Sequence, residues 1–157
     1  MKKAVLSVVG AIVFFLSTGT STFAANQTSL KEEVSEVIGT PYRYGGTTVS
    51  GFDCSGFILY VFNKFDLKLP RTSKSQSKQG VAVAKKDLKV GDLVFFNTNG
   101  RGISHAGIYV GNNQFAHSSR KGVRVTNLSN SYYKKRYMTA RRVVSNQSYL
   151  KMTSSIQ

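Results

Sequence analysis

The sequence predicts an α+β fold, with N-terminal helices packed on a C-terminal antiparallel β-sheet, and three observations carry that prediction. Apolar residues recur at helical spacing in the first half, the period becomes extended beyond Gly91, and Gly and Asn turns separate the extended runs. Helices first and strands afterward mark segregated rather than alternating structure.

The chain of 157 residues opens with an export leader by its pattern. Lys2 and Lys3 precede the uncharged apolar run Ala4 to Leu16, and Thr22-Phe23-Ala24 puts small residues where a signal peptidase reads them. Residues 1–24 are therefore expected to be a signal peptide cleaved after Ala24, too short in its apolar run to be a stable membrane anchor. Residues 25–157 are expected to form a single domain, for which seven of the ten Phe and all eight Tyr supply the core.

Leu30, Val34, Val37 and Ile38 share a helical face, so the spacing predicts a helix over 30–38 with Gly39 as its C-cap. Thr40 to Phe52 is rich in Gly and short polar residues, with Pro41 holding Thr40 extended, and reads as a loop. Cys54 to Phe65 sets Phe57, Ile58, Val61, Phe62 and Phe65 on one face, with Asp53 positioned as N-cap or first-turn acid. Leu69 to Ser73 is a turn into a polar helical segment that runs through Gln79 and closes at Gly80. Strands are predicted at 93–96, 104–110, 114–117, 123–126 and 138–144, joined as a meander. Gly111-Asn112-Asn113 is the hairpin between the second and third of these.

Net charge is +15, or about +13 without Lys2 and Lys3. The aromatic content excludes a disordered polycation, and the charge favours polyanionic partners. For an exported chain these are anionic wall polymers, lipid head groups or carboxylate-rich peptides. No nucleic-acid reading motif is present, so no nucleic-acid partner is expected.

Cys54 is the single cysteine, so it has no disulfide partner within the chain and is either buried and inert or kept for reactivity. It stands where a Gly-rich loop becomes a helix, a place that favours thiolate and supplies unbonded N–H groups for an oxyanion. The chain holds only two histidines, His105 and His117, on either side of the predicted hairpin, so one could act as base and the other orient it. One Cys and two His fall short of a zinc site, and the seven acidic residues show no dense ligand spacing, so neither metal nor cofactor is expected.

Pro41-Tyr42-Arg43-Tyr44-Gly45-Gly46, Phe52-Asp53-Cys54-Ser55-Gly56-Phe57, Leu69-Pro70-Arg71-Thr72-Ser73, Gly91-Asp92-Leu93-Val94-Phe95-Phe96 and His105-Ala106-Gly107-Ile108-Tyr109-Val110-Gly111 follow one another in order. Together they resemble the NlpC-type family of papain-like cysteine peptidases, bacterial cell-wall D,L-endopeptidases, over about residues 30–144. The resemblance implies a papain-like core, secretion to the cell wall, and hydrolysis of peptidoglycan stem peptides between γ-linked D-glutamate and diaminopimelate or lysine. It implies Cys54 as nucleophile, His105 as general base and acid, and His117 as the residue that orients the base. Tyr42 falls on an active-site tyrosine that supports the oxyanion or substrate, and Asp53 and Ser55 on positions associated with binding the stem peptide's free amine or nearby polar groups. Ordinary packing for Tyr42 and a plain helix cap for Asp53 are the alternatives. Ala106, Ala116-His117-Ser118 and Tyr132-Tyr133 depart from the family's commoner residues and bear on pocket lining. Two other functions fit the sequence: a non-catalytic basic wall-binding protein, and a hydrolase of another γ-glutamyl polymer.

Overall fold

In the computed structural model, which describes residues 29–153, the chain enters its first helix through a capping box. Ser29 Oγ accepts the Glu32 N–H while the Glu32 carboxylate accepts the Ser29 N–H, which starts α1 (Leu30–Glu36). The predicted leader and its cleavage site lie outside the described residues. Helix α1 ends two residues before the predicted limit, at a C-cap on Val37. The amides of Val37 and Ile38 bond three residues back, to Val34 and Ser35, so the last turn tightens. Ile38 is consequently 47% exposed rather than on the buried face. Gly39 does not cap the helix; its N–H donates to Val123 O, and Val123 N–H to Thr40 O, which ties the segment to the sheet.

The stretch predicted as loop holds a small hairpin, β1 (Thr47–Thr48) and β2 (Gly51–Phe52), with Thr47 opposite Phe52. Asp53 then caps α2 (Cys54–Asn63) by accepting the Gly56 N–H. Phe57, Ile58, Val61 and Phe62 form the fully buried face of α2, as their spacing predicts, and each contributes about 1.5–3 kcal/mol by leaving water. Gly56 is required in its first turn, because a Cβ there would lie 2.0 Å from Gly46 O. Helix α3 (Ser73–Gln76) starts at Thr72, whose hydroxyl accepts the Ser75 N–H.

The strands are β3 (Val81–Ala82), β4 (Leu93–Phe96), β5 (His105–Gly111), β6 (Gln114–Ser119), β7 (Gly122–Asn127) and β8 (Tyr137–Arg142). Helices α4 (Ser131–Lys134) and α5 (Asn146–Thr153) flank β8 in sequence. All pairs are antiparallel, in the order β3-β8-β4-β5-β6-β7. The meander prediction holds from β4 to β7 and fails at β8, which returns to pair with β4. Part of the outer edge of β7 is already taken by residues 39 and 40. Asn112 and Asn113, both at positive φ (51° and 57°), make the turn between β5 and β6.

Alternation gives the sheet two apolar faces, and helices gathered on a six-stranded antiparallel sheet make the fold α+β, in the papain-like arrangement expected. Leu93, Phe95, Ala106, Ile108 and Ala116 meet α1 and α2, whereas Val94, Phe96, Phe115, Leu128 and Ala140 form a second cluster lined by Tyr133 and Tyr137. Asp92, fully buried, accepts Arg142 Nε and a terminal nitrogen at 2.8 Å each, and Lys89 N–H at 2.8 Å. This pair fastens the loop before β4 to the end of β8. No helix among the described residues is long and apolar enough to cross a membrane.

Candidate active site

The register of β5 and β6 brings the two histidines together. Their rings stand nearly perpendicular, with centroids 5.0 Å apart, and His105 Nε2 lies 2.8 Å from His117 Nδ1. Gly107 makes this contact possible: a Cβ there would meet the Phe115 ring at 2.6 Å and His117 Cβ at 3.2 Å. His117 is fully buried between Phe115 and Tyr133, and its Nε2 lies 2.9 Å from Thr126 Oγ1. The result is a chain of hydrogen bonds, His105 to His117 to Thr126. It leaves His105 Nδ1 with no hydrogen-bond partner among the described residues.

Cys54 approaches from the helix side. Its Sγ lies 4.0 Å from Ser104 O and faces the Ala106 N–H, so the sulfur abuts the backbone on either side of His105. The amides of Cys54 and Ser55, in the first turn of α2, also point toward it. Burial pushes the thiol up, aided by the nearby Asp53 charge, and outweighs those three amides. The preference for thiolate expected of a helix N-terminus is thus overturned by desolvation. Burial likewise lowers His105 to about 4 and His117 to about 3, with His105 and Arg124 adding to the second shift. The resting site therefore holds a thiol and two neutral imidazoles.

Cys54, His105, His117 and Tyr42 line one open cleft of about 960 Å³. Tyr42 is 39% exposed and is fixed by bridging to Phe52, two residues before the cysteine. Desolvation, with Cys54 and Asp53 nearby, raises its hydroxyl. Asp53 and Ser55 do not line this cleft. Asp53 Oδ1 accepts from Gly56 N–H, Ser55 Oγ and Arg71, and Oδ2 accepts from Gly45 N–H and Arg71. Arg71 also reaches Ser55 Oγ at 2.8 Å. Asp53 is thus the helix cap, and a ligand amine would have to displace Arg71 to reach it.

Three features escaped the sequence reading. Arg71 stood in a motif without a role, and only the fold brings it across 18 residues to Asp53. Thr126 follows from strand alternation once His117 is known to oppose Arg124. The third is a basic rim, Arg120, Lys121 and Arg124, lining the same cleft.

The profile of the NlpC/P60 family matches residues 39–142, which includes every residue of this site. The chain belongs to the NlpC/P60 family. It is 48% identical over 120 residues to the probable peptidoglycan endopeptidase LytE of Bacillus subtilis, covering 74% of this chain and 34% of that protein. To the probable endopeptidase NlpC of Escherichia coli it is 47% identical over 117 residues, covering 73% of this chain and 76% of that one. The chain thus spans about a third of LytE but three quarters of NlpC. Among solved structures, an NlpC/P60 family protein from Bacillus cereus superposes with a TM-score of 0.69 at 35% identity, covering 74% of this chain and 41% of that one.

Proposed function

We propose that this chain is an exported cysteine endopeptidase that cleaves peptidoglycan stem peptides between γ-linked D-glutamate and the following diamino acid, diaminopimelate or lysine. The observation that carries the reading is a lone sulfur at a helix N-terminus, in one cleft with an imidazole whose far nitrogen is held by a second imidazole. Two relatives bearing peptidase names, LytE and NlpC, support the same class of reaction. The leader pattern over residues 1–24 supports delivery to the wall.

Neutral groups at rest define the first step. As Cys54 Sγ bonds to the γ-carbonyl carbon, its proton passes to His105 Nδ1, and the tetrahedral oxyanion takes the Cys54 N–H and the Tyr42 hydroxyl. His117 accepts the His105 Nε2 proton in a hydrogen bond throughout, which steadies the imidazolium without removing its charge. Collapse breaks the C–N bond, and the departing amine takes the proton from His105, leaving a thioester. Water then adds to that thioester while giving a proton to His105; the sulfur leaves and recovers the proton.

Incubating purified peptidoglycan with the protein and identifying released fragments by mass tests the proposal. Fragments ending in free γ-linked D-glutamate, absent with Cys54→Ala, are expected. Equal release by both proteins overturns the role of the sulfur. A second reading, hydrolysis of another γ-glutamyl polymer, gains support from the basic cleft rim, and the same assay on poly-γ-glutamate separates the two.

A further inference from the structure

The cleft beside Cys54 has a charge pattern that peptide-bond chemistry does not require. Three side chains lining it are permanent cations, Arg120, Lys121 and Arg124, and none is a carboxylate. The nearest acid to the sulfur, Asp53, is already held by Arg71 through both oxygens. Both imidazoles are neutral at rest. Nothing in the cleft therefore offsets the positive field.

The backbone that carries these exposed cations is set by the fold. Ser119 pairs with Gly122, so Arg120 and Lys121 form the tip of the β6–β7 hairpin. Ser119 Oγ accepts the Lys121 N–H and donates to Gly122 O, which sets the turn. Arg124 lies directly across from His117 in the register and shares its face of the sheet. Beside the tip, Val123 is tied to residues 39 and 40, just before Tyr42.

We propose that Arg120, Lys121 and Arg124 form a carboxylate-recognising subsite of the cleft, selecting peptides that carry a free carboxylate next to the scissile amide over the same peptides as carboxamides. The inference rests on the peptidase reading for its substrate and on the cleft alone for its sign. A carboxylate takes two N–H donors from a guanidinium, whereas a carboxamide brings its own donors and no charge. In a stem peptide such a group can come from the α-carboxyl of glutamate or from a carboxyl of the diamino acid.

The test uses binding as well as turnover. Three synthetic stem tripeptides are needed: the free acid, the form amidated at glutamate, and the form amidated at the diamino acid. Calorimetric titration into the Cys54→Ala protein is expected to favour the free acid over one amidated form by about tenfold, the weight of one charge-assisted hydrogen bond, and that form identifies the carboxylate. The Arg120→Gln/Lys121→Gln/Arg124→Gln variant is expected to reduce this ratio to near one, and Arg120→Lys/Arg124→Lys to restore part of it. Unchanged circular dichroism of each variant excludes unfolding as the cause. Equal affinity for all three peptides overturns the proposal, as does a preference that survives the triple substitution. If the free acid binds selectively but the active protein cleaves none of the peptides, the subsite stands and the peptidase reading falls.

Discussion

A neutral imidazole carries one proton on two nitrogens, so the partner of one nitrogen decides what the other can do. In this site Thr126 closes the chain. In the tautomer that the proposed reaction requires, His117 Nε2 donates to Thr126 Oγ1, His117 Nδ1 accepts from His105 Nε2, and His105 Nδ1 keeps the lone pair a base needs. That tautomer predicts that Thr126 acts on the proposed reaction through both rings. Thr126→Val is expected to lower kcat about tenfold, near 1.4 kcal/mol in the barrier, with KM little moved. Thr126→Ser is expected to recover most of the loss, because it restores the oxygen. Steady-state kinetics on a soluble stem peptide would show this, and a valine variant with unchanged kcat would rule out the tautomer assignment. The cysteine and both histidines were legible in the sequence because so few candidates exist; Thr126 was not, since a threonine in a strand has no signature until its cross-strand neighbour is known.

At the scale of elements, α2 is held at its start by a cap that is itself clamped. Burial alone would raise the Asp53 carboxyl, but the hydrogen bonds from Arg71, Gly56 and Gly45 outweigh it and hold the group below its usual value. Asp53→Ala removes the cap and is expected to cost about 1–2 kcal/mol, a fall of roughly 3–8 °C in thermal midpoint. Asp53→Asn keeps an acceptor for Gly56 N–H and loses only the pairing with a half-exposed Arg71, so it should cost less than half as much. Because the folded carboxyl is depressed, its ionic contribution is present above the usual 3.8 and fades as pH falls through the folded value. The gap between wild type and Asp53→Asn should therefore narrow on acidification in calorimetric scans. A cap is readable from sequence because it is local: Asp53 precedes an apolar run at helical spacing. The end of α1 was misread for the complementary reason, since Gly39 is claimed by a strand over eighty residues away.

For the whole molecule, strand content was legible from Leu93 to Thr126, because hairpins are encoded by the turns between neighbours. The place of β8 was not, because its pairing with β4 and its Arg142–Asp92 clamp span about fifty residues and leave no periodic trace. Burying that sheet's two imidazoles gives the entire fold a pH dependence. Both histidines are depressed from 6.5, to about 4 and about 3, by desolvation. Below about pH 6.5 the unfolded chain binds protons at these positions while the folded chain does not, so stability is complete above that value and is lost as pH falls toward the folded ones. Urea midpoints should accordingly drop between about pH 7 and about pH 5, before most carboxylates titrate. His117→Gln removes one of the two groups, so it should flatten the slope even if it lowers stability at neutral pH. A wild-type midpoint that stays level over this interval would mean that the rings accept protons as readily in the fold as outside it, against the full burial of His117 and the hydrogen bond between the rings.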